Sequence, residues 1–378
     1  MENTTERERL PLLDRAAALF KKTSLEDMHI IAGQHILESN YTMFEYLFDK
    51  GLKPNNVFLL GKCYSTHEDI LNQFQKKGVR VHSGSTKYNS YQSFDEEYSQ
   101  EVRDFTQKSL REAEQYPCKR AIVVDDGGYL LKEVMNHSSL QDKIVGIEQT
   151  SSGYHSLKEK SLPFPIINVA RSKAKLDYES PYIGELVAER FKIETKSIGN
   201  PQSVLVVGNG PIGSHVARAL SNSYQTHQYD FHSNIGSQRS LLNHLLPNVD
   251  AIIGCTGKTI ISPENSSFLK KGVIFASASS SDREFSAVHL RKKVQRNDDC
   301  HSTITTPEFT LLNSGFPITF FGGRHCGSPE RMQLTRALMF SAVCQASQTN
   351  NTQKELLSLD EEIQDILIRE YISLEKKR

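Results

Sequence analysis

Short apolar runs punctuate the first half of the chain: Met28-His-Ile-Ile-Ala32, Asn56-Val-Phe-Leu-Leu60, Val79-Arg-Val-His82, Arg120-Ala-Ile-Val-Val124, Lys143-Ile-Val-Gly146 and Pro165-Ile-Ile-Asn-Val169. Each is strand-length and alternates with stretches of helical pattern, which predicts a mostly parallel sheet with helices on both faces. Residues 181–193 read as a helix, and the break at Gly199-Asn-Pro201 reads as the hinge into a second domain. There the runs resume with Val204-Leu-Val-Val207, Thr226-His-Gln-Tyr-Asp230, Asp250-Ala-Ile-Ile-Gly-Cys-Thr-Gly257 and Gly272-Val-Ile-Phe-Ala-Ser-Ala278. The last two end in small residues, as buried parallel strands with open carboxyl ends do. The pattern breaks at Gly322-Gly-Arg-His-Cys-Gly-Ser-Pro329, and a helix bearing Met332, Leu334, Leu338, Met339 and Val343 follows. Beyond Asn350, Leu356, Leu359, Ile363, Ile366, Leu367, Ile372 and Leu374 recur among charges and predict a terminal amphipathic helix. The expected architecture is α/β, two doubly wound parallel-sheet domains with the second inserted in the first. Residues 1–190 form the first, residues 191–321 the second, and residues 322–378 are helices that return to the first.

Composition narrows the classes. A length of 378 residues suits two domains, each able to bury its own core, and 38% hydrophobic with 24% charged residues is ordinary for a soluble protein. Lys plus Arg equals Asp plus Glu, 45 against 45, so no basic footprint for nucleic acid stands out and nothing invokes a membrane surface. No apolar run approaches the ~20 residues that span a bilayer, and the polar start Met1-Glu-Asn-Thr-Thr-Glu-Arg-Glu-Arg9 is unlike a signal peptide, so the expectation is cytoplasmic. Cys63, Cys118, Cys255, Cys300, Cys326 and Cys344 are scattered without a Cys-x-x-Cys pair, which argues against a disulfide framework or a metal site.

The densest chemistry lies in Val204-Leu-Val-Val-Gly208-Asn-Gly210-Pro211-Ile212-Gly213-Ser-His-Val-Ala-Arg-Ala-Leu220. An apolar strand runs into a Gly-x-Gly-x-x-Gly turn and then a helix, the footing for a dinucleotide pyrophosphate and the mark of a Rossmann domain. Gly208 serves the tight turn, Gly210 lets backbone approach the phosphates, and Gly213 lets helix lie close on strand. The helix N-terminus offers amides and partial positive charge to the anion. Asp230 follows Gly208 by 22 residues, near the ~20-residue spacing of the acid that holds an adenosine ribose, which favours NAD over NADP. Gln228 competes for that role if the strand ends earlier. Thr256, at the end of its own run, joins the expected cofactor-binding set.

Several first-domain segments, taken with the Gly208 turn, resemble the S-adenosylhomocysteine hydrolase family. Val124-Asp-Asp-Gly-Gly-Tyr129 is similar to that family's Asp-Asp-Gly-Gly-Asp turn, and Gly146-Ile-Glu-Gln-Thr-Ser-Ser-Gly-Tyr-His155 to its Gly-Ile-Ser-Glu-Glu-Thr-Thr-Thr-Gly-Val-His segment. Ile166-Ile-Asn-Val169 through Ser172-Lys-Ala-Lys-Leu-Asp-Tyr-Glu-Ser-Pro-Tyr182 follows the family's Ile-Asn-Val and its lysine-bearing segment. Shorter echoes fall at Ile31-Ala-Gly-Gln-His35, Tyr64-Ser-Thr-His67 and Leu311-Leu-Asn-Ser-Gly315. The resemblance implies a substrate-binding first domain, a nucleoside-type substrate, a homo-oligomer, and NAD as a recycled catalyst that transiently oxidises the ribose 3′ carbon. Oxidation acidifies the 4′ hydrogen, so a thiol leaves by elimination and water adds before the oxidation is reversed.

By the same resemblance Lys175 works at the 3′ hydroxyl, Asp126 is the catalytic aspartate, and His35, one residue out of step, serves the leaving group. Glu179 stands for a family aspartate, while Thr150, Ser151 and Ser152 fall on hydroxyls at the nicotinamide side of the cofactor. Gln149 replaces a glutamate and loses the ability to ionise. Ser280 or Ser281 stands where the family has a histidine, Thr319 replaces an asparagine, and the Glu375-Lys-Lys-Arg378 end lacks the family's Lys and Tyr tail. Two other readings stay open: an NAD-binding homologue with a sensing or scaffold role, and an NAD-dependent dehydrogenase. Asp125 and Asp126 also suit a plain turn after a strand.

Overall fold

The computed structural model describes residues 10–116, 118–137, 140–231, 238–294 and 298–377. In chain order the strands are β1 (Met28–Gly33), β2 (Val57–Leu60), β3 (Arg80–Val81), β4 (Arg120–Asp125), β5 (Ile144–Glu148), β6 (Ile166–Asn168), β7 (Ser203–Val207), β8 (Gln225–Tyr229), β9 (Ala251–Gly254), β10 (Val273–Ser277), β11 (Ile304–Thr305), β12 (Phe309–Leu311) and β13 (Leu356–Ser358). The ten runs singled out in the sequence all become strands. The chain divides into two compact units, one holding residues up to Lys87, Ser99–Glu179 and everything from Gly323 on, the other holding Tyr88–Tyr98 and Ser180–Gly322.

The first unit carries a seven-stranded sheet in the order β13-β6-β5-β4-β1-β2-β3, every described pairing parallel. From β1 the chain winds outward to β2 and β3, then returns to the other side of β1 as β4, so the winding reverses between β1 and β4. In open α/β sheets the carboxyl ends at such a reversal form a crevice. Ile30 and Ala32 of β1 join Val57, Leu59, Ile122, Val124, Val145 and Ile147 in one core on one face. Their neighbours Ile31, Phe58 and Val123 are buried too, so β1 reads as continuously apolar because both faces are covered. The helix Pro329–Gln348 packs on this core and is buried nearly all round, from Met332 to Ser347.

The terminal segment departs from expectation. Leu356 and Leu357 belong to β13, which pairs parallel with β6, and the helix occupies only Glu361–Lys376. Asp360 caps it by accepting from the Ile363 amide at 3.0 Å, an N-cap that fixes where helix begins. A strand and a helix laid end to end produced one apparent stripe, of which Leu359 and Leu367 reach the core, joined there by Ile368 and Tyr371 outside it.

The second unit carries a six-stranded sheet, β11-β12-β10-β9-β7-β8, parallel but for β11 against β12. Alternation along β7 splits its side chains: Leu205 and Val207 face one core with Phe275 and Ile252, Val204 and Val206 the other with Phe191, Val216 and Leu220. Both faces are therefore wound with helices. The winding reverses at β7, between β8 and β9. Arg291, buried, donates to the Ser90, Gln92 and Ser314 carbonyls at 2.9, 3.1 and 3.0 Å and to Asp282 at 2.7 Å, and Asp282 accepts from the Phe94 amide. That network ties residues 88–98 into this unit.

Candidate functional site

Two strand ends at the reversal of the first sheet deliver the first cluster. Gly33 closes β1 and leads to His35; Asp125 closes β4 and leads to Asp126. Beside them β2 runs into Lys62 and β5 into Gln149. All four side chains are nearly sealed from solvent: Asp126 is 3% exposed, His35 9%, Lys62 1% and Gln149 4%. Lys62 Nζ donates to the Asp126 carbonyl at 2.7 Å and to its Oδ1, while Gln149 Nε2 donates to Oδ2. His35 places Nε2 3.4 Å from Oδ2 and Nδ1 2.6 Å from the Ser65 hydroxyl. Burial alone would raise Asp126, but Lys62 and then His35 outweigh it and hold the carboxyl well below the usual carboxylate range. His35 is lowered by burial, which its attraction to Asp126 only partly offsets. The cluster is thus an ionised carboxylate beside a neutral imidazole.

Beneath it lies a second pair of acids. Glu148 Oε1 accepts from the Gly127 amide at 3.2 Å and from the Thr150 amide and hydroxyl at 2.8 and 2.7 Å, so one carboxyl oxygen braces both turns. Burial first, and Asp125 second, push Glu148 well above the carboxylate range. Asp125 is itself pushed up to about 6 by burial, against the Leu131 amide that donates to it at 2.8 Å. Glu148 Oε2 and Gln149 Oε1 are buried without a partner among the described residues. Unmet buried acceptors are costly, and they mark where a ligand or water would be welcome.

The remaining first-unit candidates separate. Thr150 caps the helix Ser151–Leu157, its hydroxyl accepting from the Gly153 amide at 3.0 Å, and Ser151 and Ser152 stand exposed on the first turn. Lys175 and Glu179 pair with each other at 2.9 Å across one π-helical turn.

In the second unit the glycine turn has the geometry its spacing predicts. Gly208 sits at φ +111°, and its amide donates to the Tyr229 carbonyl at 2.7 Å. A Cβ on Gly213 would stand 2.1 Å from the Gly208 carbonyl oxygen, whereas one on Gly210 would meet nothing within 4 Å. The helix Pro211–Leu220 starts without a side-chain cap, which leaves its first amides for water or an anion. Ile212 and Pro211 form that first turn. Asp230, just past β8, accepts from the Asn209 amide at 2.6 Å and so braces the turn, while Gln228 donates to the Asn209 side chain at 3.3 Å. The Thr256 amide and hydroxyl bond Glu284 at 2.7 and 3.0 Å. Glu284 also takes the Gly257 amide and the Ser277 hydroxyl, and burial raises its carboxyl. An open approach at Gly210 beside a close-packed Gly213 fits a dinucleotide pyrophosphate.

No sequence pattern pointed to Lys62 or Glu284, and Ser65 and Glu148 lie inside the resembling segments without being given a role. Lys62 carries a latent signal, since it lies just past the predicted strand end at Leu60.

No family model matches the chain. Among solved structures, an NAD+-bound 3-phosphoglycerate dehydrogenase of Entamoeba histolytica is similar over 87% of this chain and 99% of its own, at 9% identity and TM-score 0.41. A dipicolinate synthase of Bacillus halodurans is similar over 85% of this chain and 99% of its own, at 10% identity and TM-score 0.38. Among described helices none is long and apolar enough to cross a membrane. A protein of Mycobacterium tuberculosis, the uncharacterized protein Rv0104, is 38% identical over 342 residues, which is 89% of this chain and 67% of that one. The chain belongs to the family of this mycobacterial protein.

Proposed function

We propose that the protein is an NAD-dependent enzyme of the S-adenosylhomocysteine hydrolase type, acting on a nucleoside thioether or a related nucleoside. The observation that carries this reading is the meeting of His35 and Asp126. The resemblance assigned both to the reaction from separate segments, and they lie side by side in a buried cluster at a sheet's switch point. Bound NAD would supply reversible oxidation of a ribose carbon. In the second unit, Gly208, Gly210 and Gly213 with the first turn at Pro211 and Ile212 would hold its pyrophosphate, and Asp230 lies at the strand end suited to a ribose. In the first, His35 would accept or return a proton, its imidazole kept neutral by burial and steadied by ionised Asp126. Gln149 would orient a hydroxyl through its unmet Oε1 without exchanging a proton.

A second reading, an NAD-binding homologue that senses rather than turns over, is favoured by two features. Lys175 is engaged by Glu179, and Gln149 cannot ionise. The test is to purify the protein, identify its bound nucleotide, and add adenosine or S-adenosylhomocysteine while following absorbance in the NADH band. Reduction of bound NAD, abolished by Lys175→Ala, is expected. Bound NAD that no nucleoside reduces selects the second reading, steady NADH release with a simple alcohol selects a dehydrogenase, and absence of nucleotide binding overturns both.

A further inference from the structure

Lys62 belongs to no motif in the sequence, yet it is the buried cation in direct contact with Asp126, 1% exposed. A buried ammonium is tolerated only where its charge is met, and here Asp126 meets it twice, through its carbonyl and through Oδ1. The groups around the cluster are otherwise His35, Ser65 and the Tyr64 ring on their loops, Gln149 after β5, Asp125 and Glu148 behind, and Arg336 from the helix Pro329–Gln348. Each neighbouring acid favours protonation of Asp126, so the cation in direct contact decides its charge.

That charge has a consequence for the imidazole. An ionised carboxylate only accepts hydrogen bonds, so the ring nitrogen facing Asp126, Nε2, must carry the hydrogen. Nδ1 then holds the lone pair and the Ser65 hydroxyl, 2.6 Å away, donates to it. Were Asp126 protonated, its O–H could donate to Nε2 and the hydrogen would shift to Nδ1, reversing the ring.

We infer that Lys62 is a positioning residue: its ammonium keeps Asp126 ionised and thereby fixes His35 as the Nε2–H tautomer, leaving Nδ1 as the proton acceptor. A proton taken up by the cluster then enters at Nδ1 by way of Ser65, which passes its own hydrogen to the ring as it receives one. The ring becomes imidazolium beside Asp126, and the donor is left with one proton fewer. This rests on the reading of His35 and Asp126 as the acid/base pair.

The experiment needs neither cofactor nor substrate, so it can fail while that reading stands, or the reverse. Protein labelled with 15N at histidine and 13C at aspartate is titrated from pH 5 to 8 by NMR. In the parent, His35 stays the Nε2–H tautomer and Asp126 stays ionised throughout. In Lys62→Met, removal of the cation raises the proton affinity of the pair by about ten- to a thousandfold. A new titration at Asp126 Cγ or the His35 nitrogens, or a reversed tautomer, then appears. Lys62→Arg keeps the parent spectrum, and Lys62→Met with Asp126→Asn shows no new titration. Should Lys62→Met not fold, recovery of folding in that double variant together with the parent spectrum in Lys62→Arg supports the assignment. A parent already carrying Nδ1–H, a folded Lys62→Met with an unchanged spectrum, failure of the double variant to restore a fold lost in Lys62→Met, or an Arg variant that titrates like Met overturns it.

Discussion

Alanine at Gly213 and at Gly210 separates packing from ligand binding in the glycine turn. At Gly213 the new Cβ would sit 2.1 Å from the Gly208 carbonyl oxygen and 3.2 Å from Cys255 Cβ. Both neighbours belong to strand ends that cannot rotate away, so the helix Pro211–Leu220 must lift by about 1 Å, and a gap of that size forfeits a quarter to a half of the dispersion at the interface. Val216, Ala217 and Leu220 lose contact with the sheet. A 2.1 Å approach to a backbone oxygen lies at the upper end of overpacking costs, about 2–3 kcal/mol, and the better helix propensity of Ala returns about 1 kcal/mol, leaving a net loss of about 1–2 kcal/mol. For a unit of this size that lowers Tm by about 2–8 °C. At Gly210 φ is −74° and the Cβ meets nothing within 4 Å, so stability should stay within about 0.5 kcal/mol of the parent. The methyl would nonetheless stand where the phosphates approach, and NAD affinity should fall at least about tenfold, or 1.4 kcal/mol. Thermal unfolding and calorimetric titration with NAD read the two effects. Wild-type NAD affinity in a folded Gly210→Ala protein would refute the assignment of this turn to the pyrophosphate, and wild-type stability in Gly213→Ala would refute the packing argument.

Three further outcomes follow from buried polar groups. Arg291→Met strands Asp282 in the second unit and should cost about 3–5 kcal/mol in denaturant unfolding, much of it recovered by adding Asp282→Asn; a loss under about 1 kcal/mol would show the pair to be dispensable. Asp125, raised to about 6, and Glu148, raised well above the usual carboxylate range, bind protons more tightly folded than unfolded, so they contribute stability at low pH that is lost as pH rises through their folded values, about 6 for Asp125. Asp126 works the other way, its contribution present above the ordinary carboxyl range and lost on acidification. Denaturation midpoints from pH 5 to 8 should therefore fall less steeply with rising pH in Asp125→Asn than in the parent, and parallel curves would contradict this. Gly153→Ala would press a Cβ to 2.1 Å from the Glu148 carboxyl carbon and should destabilise the first unit by about 1–3 kcal/mol, detectable as faster proteolysis around residues 149–157.

The limits of sequence legibility follow from what each device shows on the chain. Strands buried on both faces write their apolar runs plainly, and the Gly208 turn declares itself because only glycine serves at φ +111° and at a 2.1 Å approach. β11 and β12, two and three residues long, were not among the runs singled out. β13 hid because Leu356 and Leu359 extended the apparent stripe of the following helix. Asp126 and His35 came from the resemblance, and the fold supplied their partnership. Glu148 lies inside the resembling Gly146–His155 segment without a role, and Glu284 reads as one acid among 45 Asp and Glu residues. The structure gives them the same task. Glu148 Oε1 takes the Gly127 and Thr150 amides; Glu284 Oε1 takes the Thr256 and Gly257 amides. In both units a buried carboxyl meets the exposed backbone donors of a loop at the strand ends. Such donors cannot be met by sheet hydrogen bonds once the strand has ended. A site placed at strand ends therefore calls for an internal acceptor beneath it, and the acid doing so has raised proton affinity because burial acts on it with no cation in contact among the described residues. Asp126 differs in this one respect. Lys62 contacts it directly, and of these three buried carboxyls it alone is shifted down rather than up.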